Sequence, residues 1–223
     1  MDNLSITLGK RNLVDSIWKS ANIEGLGITF PSTEAILENA PVMTTRDEVY
    51  FVCNMKRAWE FIFDNIEYPV NIGLLREVNK VCMENLAYGA GQERNIPVHI
   101  GGTDWQPEMP NTACIIEDLQ KIQANEDKQE VALDLFCYLA RKQIFIDGNK
   151  RLSQIISNKI LMENDIGILS IPVSQKEKFT ELLIDFYETN DNVKLKEFLK
   201  EECLQLAHPK DLEGEQNIDI ELE

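Results

Sequence analysis

Only two histidines occur in the 223-residue sequence, His99 and His208, and positive charge is scarce: 22 Lys and Arg face 38 Asp and Glu, a formal net charge of −16. That balance argues against the basic face needed for non-specific binding to nucleic acid or anionic membranes. No apolar run approaches the ~18 residues of a membrane span, and the polar N-terminus shows no signal-peptide core. None of the five cysteines, at 53, 82, 114, 137 and 203, belongs to a C-x-x-C pair. An odd number of thiols without metal spacing reads as reduced, mostly buried cysteine. The expectation is a soluble, cytoplasmic protein with no membrane and no nucleic-acid partner. At 43% hydrophobic residues the chain can bury one substantial core, and a single domain is expected.

What is present is helical periodicity. Leu13, Val14 and Ile17 mark a first amphipathic segment ended by "EGLG". Val49, Val52, Cys53, Trp59 and Phe63 predict a helix over about 45–65, and Leu74, Leu75, Val78 and Cys82 another, broken at "YGAGQ". Val131, Leu135, Phe136 and Leu139 predict a helix ending near Lys142. Leu152, Ile155, Ile156 and Ile160 give its successor, ending around "ENDIG". Two further stripes run through Phe179–Phe186 and Leu195–Cys203. The exception is "RNIPVHIGGTDWQPEMP", 94–110, where two extended pieces flank Gly101–Gly102, a signal for a small β-hairpin near 96–106. From Lys210 onward one base meets six acids with few large apolar residues, so 209–223 reads as a disordered acidic tail after a domain spanning 1–208. The fold class predicted is all-α with one hairpin.

Between two predicted helices stands "FIDGNKR", 145–151. The first N–H groups of a helix lack internal partners and carry partial positive charge. Gly148 allows close backbone approach, Asn149 offers a neutral donor, and Lys150 and Arg151 add fixed charge, which together make an anion nest. Asp147 at such a site suits a divalent cation bridging phosphates. The plainer reading is a helical corner capped by Asp147 and Asn149 with solvated cations.

The stretch resembles the Fic/Doc (Fido) signature, His-x-Phe-x-(Asp/Glu)-Gly-Asn-(Gly/Lys)-Arg, at Phe145, Asp147, Gly148, Asn149, Lys150 and Arg151. "NKILMENDIGILSIP" looks like the segment that follows it, and "VHIGGTDWQPEMP" like the family's flap; roughly residues 10–205 fit. The resemblance implies a Fido helical bundle that moves AMP from ATP to a protein hydroxyl, although some members transfer other phosphate-linked groups. By the same carry-over, Asp147 binds Mg²⁺ accompanying ATP, and Gly148, Asn149, Lys150 and Arg151 surround the nucleotide phosphates. The flap at Ile100, Gly101, Gly102 and Thr103 docks a target-protein segment; a homodimer is compatible. "SANIEG", Ser20 to Gly25, resembles the inhibitory motif (Ser/Thr)-x-x-x-Glu-(Gly/Asn), with Glu24 its acidic residue and Gly25 equally readable as a helix-ending C′ glycine.

Two departures matter. Gln143 stands where the family places its catalytic histidine, and an amide has no proton-accepting state near neutral pH. Loss of a positioned base costs roughly 10²–10⁴-fold in rate. Gln154 stands where many members carry a second arginine that pairs with the inhibitory glutamate, leaving Glu24 only a hydrogen bond to Gln154 by this reckoning. The sequence thus predicts either a slow AMP-transferase or a non-catalytic nucleotide- or peptide-binding pseudoenzyme. His99 falls in the flap and His208 beside the acidic tail.

Overall fold

A computed structural model describes residues 3–212. Ten α-helices dominate the described residues: α1 (Leu4–Arg11), α2 (Leu13–Ile23), α3 (Phe30–Leu37), α4 (Arg46–Asp64), α5 (Ile72–Met83), α6 (Thr112–Gln123), α7 (Lys128–Lys142), α8 (Asn149–Glu163), α9 (Lys176–Thr189) and α10 (Val193–Phe198). The all-α expectation holds. The 45–65 helix starts where Thr45 and Glu48 form a reciprocal capping box. Asp127 caps α7 by accepting from the backbone N–H of Gln129 and Glu130.

The centre of the molecule is α8. Every residue from Arg151 to Met162 is buried, so this helix is covered on all sides rather than along one stripe. Its buried polar side chains are paired largely through backbone. Ser157 donates to the Ala132 carbonyl at 2.6 Å, and Lys159 donates to the Ile66 carbonyl at 2.7 Å while pairing with Glu163 at 2.8 Å. Asn158 accepts from Leu169 N–H at 2.7 Å and donates to Leu169 O at 2.8 Å. That double bond pins β1 (Gly167–Leu169), which pairs antiparallel with β2 (Leu204–Leu206), Gly167 opposite Leu206.

This strand pair lies elsewhere than the expected hairpin. Residues 96–106 are extended around a turn at Gly101–Gly102, with φ +87° at Gly102, and carry no ladder among the described residues. The physical reason is competition: Arg94 captures the carbonyls of Ile96, Pro107 and Glu108, and Pro97 and Pro107 lack the N–H a ladder needs. α5 ends at Met83, before "YGAGQ". Helices α1, α3 and α6 join the predicted set. Pro209–Leu212 form a 3₁₀ turn, and the rest of the expected tail, 213–223, lies outside the described residues.

Candidate functional site

The last residue before the signature loop sets its course. Gln143 caps α7 in the left-handed conformation, φ 49°, ψ 57°. Its Nε2 donates to the Ala140 carbonyl at 2.6 Å, and its Oε1 accepts from Asn149 Nδ2 at 3.0 Å. Asn149 completes a closed circuit across the loop: Oδ1 accepts from Phe145 N–H at 3.0 Å and Nδ2 donates to Phe145 O at 2.9 Å. The Asn149 side chain therefore holds the loop shut upon itself. Gly148 has φ +80°, and a Cβ there would meet Met83 Sδ at 2.6 Å, so shape and conformation both require glycine. No side chain caps the start of α8, which leaves its first N–H groups open to an anion.

The charges are arranged in two pairs. Lys150 Nζ lies 3.4 Å from Glu24 Oε2. Arg151 is 5% exposed, donates to both Asp147 oxygens at 3.3 Å, and lies with its guanidinium 5.2 Å from the Phe51 ring centroid. Glu24 thus has a cationic partner after all, Lys150, contrary to the expectation that Gln154 was its remaining option. Gln154 Nε2, Arg151 Nε, Glu24 Oε1 and Ser20 Oγ are all buried without a protein hydrogen-bond partner. Glu24 is placed by the end of α2. Leu26 N–H bonds Ala21 O at 3.0 Å and Gly25 N–H bonds Asn22 O at 3.0 Å, a Schellman motif with Gly25 at φ +90°. The C′ reading of Gly25 and the presentation of Glu24 toward the loop are therefore both realised.

A cavity of about 220 Å³ joins these parts, lined by Glu24, by Val98, His99 and Ile100 of the flap, by Gln143, Ile146, Asp147, Gly148, Asn149 and Lys150, and by Tyr187. Arg151, Ser20, Gly25, Gly101, Gly102 and Thr103 stand outside that lining. Thr103 Oγ1 instead donates to Glu188 at 3.1 Å and accepts from Trp105 N–H at 3.1 Å. At ~30 Å³ per water the void holds about seven waters, below the ~300 Å³ at which ligand pockets begin.

Three positioning residues were missed at the sequence level. Arg94, 3% exposed, donates to Gln143 O at 2.6 Å, Ile96 O at 3.0 Å, Pro107 O at 3.2 Å and Glu108 O, stapling both limbs of the flap to the end of α7. Burial pulls its pKa down. Asn79 donates to Asp147 O at 2.9 Å and accepts from Gly91 N–H at 2.9 Å. Tyr187 is buried and stacked on Trp105 at 5.5 Å; burial first, then Glu24, raises its pKa. Arg94 reads in sequence as a solvated base in a turn-rich stretch. No periodicity marks the other two as site residues.

No family model matches the sequence. The chain is 24% identical over 177 residues to the protein adenylyltransferase Fic of Drosophila yakuba and 23% identical over 177 residues to that of Drosophila melanogaster, covering 75% of this chain and 36% of each relative. It therefore spans about a third of the length of the curated relatives it matches. Among solved structures, it superposes on Fic-1 from C. elegans with a TM-score of 0.75 at 20% identity, covering 90% of this chain and 62% of that one. A Fic domain-containing signaling protein from Bacteroides thetaiotaomicron gives 0.67 at 16% identity, covering 79% and 72% respectively. By sequence likeness this chain is similar to the Fic adenylyltransferases, and it shares the helical fold of the solved Fic structures.

Proposed function

We propose that the head of α8 is a cradle for the phosphates of ATP, and that the conformation described is its closed state, with Glu24 held over the loop by Lys150. The observation that carries this reading is the 3.4 Å Lys150–Glu24 pair above an uncapped helix N-terminus. A carboxylate there repels phosphate. At an effective dielectric near 20, two like charges ~4 Å apart cost roughly 4 kcal/mol, far more than the ~1 kcal/mol typical of a partly exposed ion pair. Displacing Glu24 frees Lys150 for phosphate and enlarges the cavity. Gly148 then supplies close backbone approach, and Arg151, buried and with Nε unpartnered, supplies charge.

Asp147 fits Mg²⁺ held mainly by nucleotide phosphates and water, the usual arrangement where one protein carboxylate is at hand. Among the described residues no cluster of three potential ligands offers an all-protein site. When bound, the ion would offset phosphate charge, and Asp147 would exchange its contact with Arg151 for it. Flap residues 97–103 carry no ladder bonds among the described residues, which leaves an edge for an extended target segment.

The reaction this site supports is AMP transfer to a protein hydroxyl, slowed by Gln143. Both functions of that amide are engaged, by Ala140 and Asn149, and neither accepts a proton. The same engagement favours a second reading, a nucleotide- or peptide-binding module without turnover. Calorimetric titration with ATP and Mg²⁺ tests the common ground. Glu24→Gly should bind at least about tenfold more tightly than wild type, a fraction of the repulsion removed. Absence of binding by both proteins at millimolar ATP ends the proposal.

A further inference from the structure

The ionisable groups that line the cavity are Glu24, His99, Asp147, Lys150 and Tyr187. Glu24 and Lys150 neutralise each other, and Glu24 stands where phosphate must enter. Asp147 is tied to Arg151. Tyr187 is buried, and its burial together with Glu24 keeps the proton on its hydroxyl, which makes it a donor. Gln143 has no basic form. His99 remains, and a neutral imidazole carries a ring nitrogen that can accept a proton.

We propose that His99 is the proton acceptor for the attacking hydroxyl, a base relocated from the end of α7 to the flap; this rests on the phosphate-cradle reading above. His99 is exposed, and together with its neighbours Val98 and Ile100 it lines the same void as the loop residues. Its reach is fixed from both ends. Arg94 staples Ile96, Pro107 and Glu108 to Gln143, and Thr103 is bonded to Glu188. The segment without ladder bonds, 97–103, is also the edge that an acceptor segment would join, so base and acceptor hydroxyl would lie on neighbouring segments. The chain's other imidazole, His208, belongs to the C-terminal turn and does not line the cavity.

The step balances without a further reactant. The acceptor oxygen forms a bond to the α-phosphorus of a nucleoside triphosphate, and the bond from that phosphorus to the bridging oxygen of the β-phosphate breaks. Pyrophosphate leaves, and the hydroxyl proton passes to an imidazole nitrogen of His99 and then to solvent. Where water is the acceptor, free AMP is the product.

The test uses the full chain carrying Glu24→Gly, with and without His99→Ala. ATP–Mg²⁺ affinity is read by calorimetry, and label from α-³²P-ATP is followed into protein or free AMP. The expected result is equal ATP affinity in both, a fall in transfer of about 10²-fold or more with His99→Ala, and partial recovery of that loss on adding imidazole. Transfer unchanged by His99→Ala overturns the assignment, as does ATP binding by Glu24→Gly without any transfer. Loss that imidazole does not rescue also overturns it, since it would mark His99 as structural. Failure of Glu24→Gly to bind ATP removes the cradle reading and this one together, a result distinguishable from the others in the calorimeter.

Discussion

Gln143 shows how one residue can be legible as chemistry and illegible as structure. Its failure as a base follows from the amide alone, whereas its bridge between Ala140 and Asn149 appears when the loop is folded. Gln143→His in the Glu24→Gly background should raise label transfer, but by less than the full ~10²–10⁴-fold of a positioned base, because Gln154 offers phosphate no charge. Gln154→Arg added to these two changes should give the most active form; with Glu24 restored, the new arginine gains a partner and activity should fall. Radiolabel transfer across this series checks each step. Arg94 is the opposite case, unreadable in sequence and central in the fold. Arg94→Met strips charged donors from the carbonyls of Gln143, Ile96, Pro107 and Glu108. At ~1.5–3 kcal/mol per charge-assisted bond, offset by the cost of burying the cation, a loss of about 3 kcal/mol is expected. Denaturant melts should show it, and amide exchange should rise across 96–109.

At the scale of elements, periodicity located the long helices because each buries an apolar face, and α7 and α8 were placed on the two sides of the loop as found. Helix α6 was equally legible from Ile115, Leu119 and Ile122, spaced at i, i+4 and i+7. The short α1 and α3, eight residues each, had too few turns to declare a period. The flap misled because alternation around two glycines signals a hairpin, whereas its polar backbone groups are bonded by Arg94, a tertiary choice that no local pattern encodes. Gly148 marks where the loop depends on its neighbours. Gly148→Ala must place a Cβ 2.6 Å from Met83 Sδ at φ +80°, which should destabilise the protein by about 1–3 kcal/mol and weaken nucleotide binding. Met83→Ala in the same protein should recover part of the binding by relieving the contact, read by calorimetry.

Across the whole molecule, the strong negative charge and the reduced cysteines were read from composition, and the described cysteines are free. Burial pushes the thiols of Cys82, Cys137 and Cys203 up from 9.0 to about 12. Because the folded value lies above the unfolded one, their contribution to stability is present below pH 9 and is lost between about pH 9 and 12, so the melting temperature should fall over that window. Iodoacetamide at pH 8 should modify exposed Cys114 well before these three. The family frame, a central buried helix headed by a glycine loop, was legible from motif order. The Lys150–Glu24 pair was not, because it joins residues more than a hundred positions apart, one at the end of α2 and the other in the first turn of α8. The central claim is that phosphate binds at the head of α8 and competes with Glu24. Its most direct test is backbone NMR of the Glu24→Gly protein titrated with ATP and Mg²⁺. The account predicts that the amides of Gly148, Asn149 and Lys150 shift first and that Arg151→Ala abolishes the shifts; saturable binding that leaves those amides unmoved would contradict it.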